Sequence, residues 1–165
     1  MRTLLNAESL TQWAAVALDG MSTHRRAIDA LNVFPVPDGD TGTNMYLTLE
    51  AGVAAMLELG DDAPDPGSAR LAALARGMLL GARGNSGVIM SELIRGIAAT
   101  RAADLDRPMD GAWLADALTR ASAGAFGAVS DPKEGTVLTV ARAAATAATE
   151  TAEETGGDLQ AVTQA

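Results

Sequence analysis

Apolar residues in this chain recur at intervals of three and four along six successive stretches, and nowhere do they alternate as a half-buried strand would. That period fits helices and excludes a sheet. The first stretch, Glu8 to Leu31, carries Leu10, Trp13, Ala14, Ala17, Leu18, Met21 and Ile28. A second begins around Asn44, carries Met45, Leu49, Val53 and Met56, and ends at Gly60. The third runs from Ser68 to about Ala82, and the fourth from about Ser86 to Thr100 with Val88, Ile89, Leu93 and Ile97 on one side. Trp113 to Val129 and Thr136 to Thr151 supply the last two, the sixth stopping near Gly156 and Gly157. Helices of this length joined by short loops predict an all-α fold, an up-and-down antiparallel bundle or barrel in one domain over 1–165. DLQAVTQA looks like the start of another helix, so a truncated bundle, a fragment of a longer chain, is expected. Trp13 and the methionines at helical spacing are expected in the core. His24, the single histidine, sits beside Arg25 and Arg26 late in the first helix and is expected to be solvated.

Composition then narrows the function. Twenty-one acidic residues against twelve basic ones give a net charge of -9, which disfavours nucleic acid and anionic membrane surfaces. The chain has no cysteine, so disulfides, thiolate nucleophiles and cysteine-ligated zinc drop out. MRTLLNAESL turns polar too early for a secretory leader, and no window approaches the roughly 18 apolar residues of a membrane span. A cytoplasmic location is expected. Lys133 is the single lysine, leaving one candidate for a phosphate-binding lysine.

Two helical patterns are interrupted by NVFPVPDGDTGTNM, residues 32–45. Pro35 and Pro37 fix their own φ and push Phe34 and Val36 toward extended backbone, so the approach to Asp38 is stiff. Gly39 and Gly42 allow unusual backbone angles, and Thr41 or Thr43 can cap the helix that follows. Asp38 and Asp40 therefore stand just before a helix start. They serve either as turn and cap residues or as ligands of a hard cation such as Mg²⁺, which takes few protein oxygens and completes its shell with water and phosphate. An EF-hand is excluded, because Leu49 stands where the loop's closing glutamate would be required.

GARGNSG, residues 81–87, joins two helical patterns with three glycines and a serine. Backbone N–H groups at a helix start hold phosphate well, although the same residues also make a plain turn with Gly84 as the C-cap. The spacing matches neither a dinucleotide fingerprint nor a P-loop. KEGTVLTV, residues 133–140, opens a helix in a similar way. In an up-and-down bundle these two loops and the aspartate loop all lie at one end. An acidic metal loop and two glycine-bearing loops would share a rim there.

Together, LNVFPVPDGDTGTNM, LLGARGNSGVIMSELIRG and EGTVLTV closely resemble the N-terminal kinase domain of bacterial fatty acid kinase, which is related to the nucleotide-binding L domain of dihydroxyacetone kinases. The likeness spans residues 28 to 140. It implies a barrel of amphipathic antiparallel helices binding ATP and two Mg²⁺ at one rim, in a kinase of phospholipid synthesis. By resemblance Asp38 and Asp40 are the catalytic, metal-binding aspartates, and Asn32 stands near a further metal position. Thr43, Asn44, Gly84, Asn85 and Ser86 match positions around the phosphates, with Gly135 and Thr136 on a further nucleotide-side loop. Dihydroxyacetone kinases usually carry histidine where this chain has Thr41, which favours the fatty acid branch. The implied reaction moves the γ-phosphate to a fatty acid carboxylate presented by a lipid-binding partner protein and gives an acyl phosphate, with Arg83 available to neutralise charge. The alternatives are a dihydroxyacetone kinase subunit and a nucleotide-binding module without turnover. A homodimer is a further open possibility.

Overall fold

A computed structural model describes residues 5–33, 37–60 and 63–165. Among them are seven helices and no strand: α1 Ala7–Leu31, α2 Thr41–Leu57, α3 Pro66–Leu80, α4 Gly84–Ala103, α5 Gly111–Gly127, α6 Val137–Thr155 and α7 Leu159–Gln164. No helix among the described residues is long and apolar enough to cross a membrane. The stiff dipeptides expected at Phe34, Pro35 and Val36 lie outside the described residues.

Local chemistry explains most of the helix boundaries. Asp65 accepts the Ser68 amide at 3.1 Å and Pro66 occupies the first turn of α3, where its missing N–H is not needed. Asp110 accepts the Trp113 amide at 3.0 Å, Asp158 that of Ala161 at 2.8 Å, and Thr136 that of Leu138 at 3.3 Å. Gly156, at φ +64°, closes α6 in the left-handed conformation expected of it. Four starts differ from the sequence expectation. α2 begins at Thr41, α3 at Pro66, α4 at Gly84 and α5 at Gly111, each two or three residues early, because apolar periodicity does not register the proline, polar and glycine residues of a first turn.

The chain forms two compact units, one of Ala7–Ser91 and one of Met1–Asn6 with Glu92–Ala165. In the Ala7–Ser91 unit α2 packs antiparallel on α1 and on α3. Glycines bring α2 and α3 unusually close: a Cβ on Gly77 would lie 2.6 Å from the Ala55 methyl and 2.7 Å from the Ala51 carbonyl oxygen. Leu49, Val53 and Met56 of α2 and Leu71, Leu74 and Met78 of α3 are buried around this contact. The core expectation fails at Trp13, which is 47% exposed. α1 buries a narrow line through Leu10 and Ala14, and Trp13 points about 100° away from Ala14, on the side shared with exposed Val16. Of the methionines at helical spacing, Met56 and Met78 are buried as expected, whereas Met21, Met45 and Met90 are only partly buried. Met109, in the loop before α5, is buried as well, and His24 is exposed.

In the other unit α5 and α6 run antiparallel, with α7 packed on both. Ala115, Ala148 and Val162 form a buried cluster joined by Leu114, Leu118 and Ala152. Gly96 of α4 sits against α5 so tightly that a Cβ there would be 2.5 Å from the Ala121 Cα. The Gly111 amide donates to the Gly157 carbonyl at 3.0 Å and ties the start of α5 to the turn before α7. Trp113 is the largest fully buried side chain, and among the described residues its indole N–H meets no acceptor. Leaving a buried donor unpaired costs about 1–3 kcal/mol. Trp113→Phe removes that donor while keeping most of the volume, so its loss of stability should stay within about 1.5 kcal/mol, against about 3–5 kcal/mol for Trp113→Ala. Chemical denaturation of the two variants measures the difference.

Candidate functional site

The aspartate loop leaves α1 and returns to the start of α2 within the Ala7–Ser91 unit. Asn32 Nδ2 donates to Asp38 Oδ1 at 2.5 Å. Gly39, between the two aspartates, takes φ +66°, a conformation that strains any residue with a Cβ. Asp40 is the N-cap of α2, and its carbonyl accepts the Asn44 amide at 2.8 Å, yet its carboxylate makes no capping bond. Neither Thr41 nor Thr43 is the cap. Asp38 and Asp40 are both exposed, so their carboxylates face water and are not consumed in holding the helix.

What holds the start of α2 is Asp29, in the last turn of α1. Its Oδ1 accepts the Thr43 amide at 2.9 Å and its Oδ2 accepts the Thr43 hydroxyl at 2.7 Å. The Thr43 hydroxyl above all holds the Asp29 carboxyl below the usual carboxylate range. Partial burial opposes this, while the Thr43 and Gly42 amides and the Arg25 charge add to it. A depressed carboxylate stabilises the fold above its unfolded-state pKa, and that contribution is lost as pH falls through the folded value. Two further contacts fix the junction. Gly42 is pressed against the Arg25 carbonyl, and the Arg25 guanidinium lies 5.3 Å over the Tyr46 ring.

The glycine loop meets the same helix. Gly81 ends α3, its amide bonded to the Gly77 carbonyl at 2.9 Å, so the C-cap expected at Gly84 falls at Gly81. Gly84 instead opens α4 with φ +58°, and a Cβ on it would come within 2.5 Å of Asn44 Nδ2. Thr48, fully buried, donates to the Asn44 carbonyl at 2.7 Å and accepts the Arg83 amide at 3.0 Å, which pins the loop to α2. Gly87 lies against the same hydroxyl. The structure therefore brings Asn44 together with Gly84 and places Asn85 and Ser86 in the first turn of α4, where amides lack intrahelical acceptors. Arg83, Gly84 and Asn85 are exposed.

Gly135 and Thr136 belong to the other unit. Gly135 has φ +79° and donates its amide to Thr139 Oγ1 at 2.9 Å, while Thr136 donates its hydroxyl to the Lys133 carbonyl at 2.8 Å. Thr139 in turn donates to Glu134 at 2.8 Å, and Arg142 reaches the same carboxylate at 2.6 Å. Thr139, then Arg142, keep the Glu134 carboxyl below its usual range. Lys133 pairs with Asp131 at 2.7 Å.

Among the described residues no three histidine or carboxylate side chains cluster as a metal cage. The donor set at the aspartate loop, two exposed carboxylates and one carboxamide, fits Mg²⁺, which uses few protein oxygens and retains water or phosphate. It does not fit a soft or imidazole-seeking metal. Asp29 and Thr48 were not legible as site residues. An acid in the last turn of a helix opposes the helix dipole, which was the available sign that Asp29 has a partner elsewhere.

The model of the DAK2 domain matches residues 35–165. The protein YloV of Bacillus subtilis is 42% identical over 142 residues, covering 86% of this chain and 25% of that protein. An uncharacterized protein of Staphylococcus saprophyticus is 41% identical over 152 residues, 92% of this chain and 26% of its own length. One from Staphylococcus haemolyticus is 38% identical over 156 residues, 94% of this chain and 27% of its own. The chain thus spans about a quarter of the length of these relatives. With the helices and the paired loops in place, the chain belongs to the DAK2 domain family of dihydroxyacetone kinase-like, kinase-related helical modules.

Proposed function

We propose that this chain is the ATP-binding part of a kinase that phosphorylates a fatty acid carboxylate offered by a lipid-carrying partner protein. The observation that carries the reading is the meeting of Asn44, at the start of α2, with Gly84, at the start of α4, beside two exposed aspartates. Asp38, Asp40 and Asn32 would hold Mg²⁺. The first-turn amides of Gly84, Asn85 and Ser86, with the Asn44 side chain, would receive phosphate oxygens. Resemblance gives Gly135 and Thr136 of the other unit a nucleotide-side role as well. Bound Mg²⁺ would neutralise phosphate charge as the bond to the leaving group weakens.

A carboxylate oxygen attacks the γ-phosphorus while the bond from phosphorus to the bridging oxygen of ADP breaks, giving an acyl phosphate and ADP. No proton has to move, because a fatty acid is already ionised near neutral pH. That suits a site whose motifs carry no histidine, and Thr41 stands where the dihydroxyacetone kinase branch has one. The exposed Arg83 is placed to add positive charge beside the glycine loop.

Calorimetric titration with a non-hydrolysable ATP analogue, with and without Mg²⁺, is the direct test. Magnesium-dependent binding is expected; equal binding without the ion, or none with it, would remove the reading. ADP release on adding dihydroxyacetone, with none on adding a fatty acid and its carrier, would move the acceptor to a triose.

A further inference from the structure

We propose that Asp29 is a positioning residue for this site, and that by taking the only hydroxyl proton of Thr43 it makes that oxygen an acceptor toward the cation instead of a donor to phosphate. The inference rests on the magnesium-nucleotide reading and adds to it a residue that touches neither ligand.

Asp29 anchors both ends of the aspartate loop. Its main-chain carbonyl accepts the Asn32 amide at 3.2 Å where the chain leaves α1. Its carboxylate grips the amide and hydroxyl of Thr43, at 2.9 and 2.7 Å, where the chain enters α2. The segment bearing Asp38 and Asp40 is thereby closed on one residue. Between those anchors, Asn32 donates to Asp38 and Gly42 seats on the Arg25 carbonyl, which adds a contact on each side of the two aspartates.

The second half of the inference follows from counting protons. A threonine hydroxyl has one proton and two lone pairs. In this structure the proton points to Asp29 Oδ2, and the Thr43 amide is also committed, to Oδ1. Thr43 then has no donor left for a phosphate oxygen, whereas its lone pairs suit a magnesium ion or a water on it. A carboxylate already occupies the α2 N-terminus, so a phosphate arriving there would also meet its negative charge. Phosphate recognition is left to Asn44 and the first turn of α4, which carries no acid in its opening residues. Thr43 thus moves from the phosphate side of the site, where resemblance put it, to the cation side.

The test is a magnesium titration of analogue binding by the whole chain, for wild type, Asp29→Ala, Thr43→Val, Thr43→Ser and the double variant Asp29→Ala/Thr43→Val. Far-UV circular dichroism confirms that each is folded at the working temperature. Asp29→Ala and Thr43→Val are each expected to raise the Mg²⁺ concentration at half-maximal binding about tenfold, with excess Mg²⁺ restoring full stoichiometry. Thr43→Ser, which keeps the hydroxyl, should recover most of what Thr43→Val loses. The double variant should be no worse than Asp29→Ala alone, since both changes break one linkage. A purely structural role would lower the amount of competent protein and leave the magnesium midpoint where it was.

An unchanged midpoint in Asp29→Ala, or additive losses in the double variant, overturns the inference. If Asp29→Ala does not fold, Thr43→Val against Thr43→Ser decides it alone: equal midpoints overturn it, and a tenfold difference supports it. A wild-type chain that binds no magnesium nucleotide fails at the earlier step and overturns both readings, whereas a wild type that binds beside variants that bind equally well overturns this one only.

Discussion

Asp38→Ala is expected to lower magnesium-dependent binding of an ATP analogue by on the order of 100-fold or more, while the helices melt as in the parent chain. The two halves of that result have separate causes. Asp38 is exposed and bonds to Asn32 within the loop, so nothing in the packing of α1, α2 or α3 depends on it. Its proposed work is coordination, and the structure offers few carboxylates to replace it, since no third acid joins a cluster among the described residues. Asp38→Asn keeps the shape and removes the charge, and it should lie close to alanine in affinity. Titration calorimetry at fixed Mg²⁺, with thermal melting alongside, reads both outcomes. Wild-type affinity in Asp38→Ala would end the metal assignment for this loop.

A large stability loss is expected at Gly42, from backbone overlap and not from a lost side chain. A Cβ there would land on the Arg25 carbonyl oxygen and within 2.9 Å of its carbonyl carbon, which is helix backbone and cannot rotate aside. Gly42→Ala must therefore part α1 from α2 or bend one of them. We expect a loss of about 3 kcal/mol, seen as a fall of roughly 10 °C in the melting temperature. Gly20, in α1, would have nothing within 4 Å of an added methyl group, so Gly20→Ala is the control. It should gain about 0.5–1 kcal/mol from helix propensity. Equal behaviour of the two variants would show that the Arg25–Gly42 contact is not a tight one.

The difference between these glycines marks how far the sequence could be read. Helix content was legible because Leu, Met, Ile and Val repeat at the helical period, and the closing of α6 was legible because Gly156 precedes a second glycine. Gly42 stood out as a loop glycine, yet it is helical and has no positive φ. Its need for glycine comes from the Arg25 carbonyl it meets across α1 and α2, a neighbour that Gly20 lacks and that local sequence does not reveal. Trp13 misled for the same reason. Periodicity finds a face, but the width of the face that is covered depends on where the neighbouring helices lie. Asp38, Asp40 and the GARGNSG segment stood out because proline, glycine and acid are concentrated where a helical pattern breaks. Asp29 did not, because it lies inside a continuous helical pattern and its partner is 14 residues further along.

Packing of sequence neighbours on one another, α1 with α2, α2 with α3, α5 with α6 and α6 with α7, also bears on how the chain reaches this structure. Contacts between consecutive helices require only short loops to close, so little chain entropy is lost before the first favourable burial. All-helical chains with such local contacts fold in microseconds to milliseconds, orders of magnitude faster than sandwiches of similar size. Each hairpin of helices can form as soon as its second helix is available, in the order of synthesis. The aspartate loop would then be set early, when α2 first docks on α1, before the glycine loop arrives beside it.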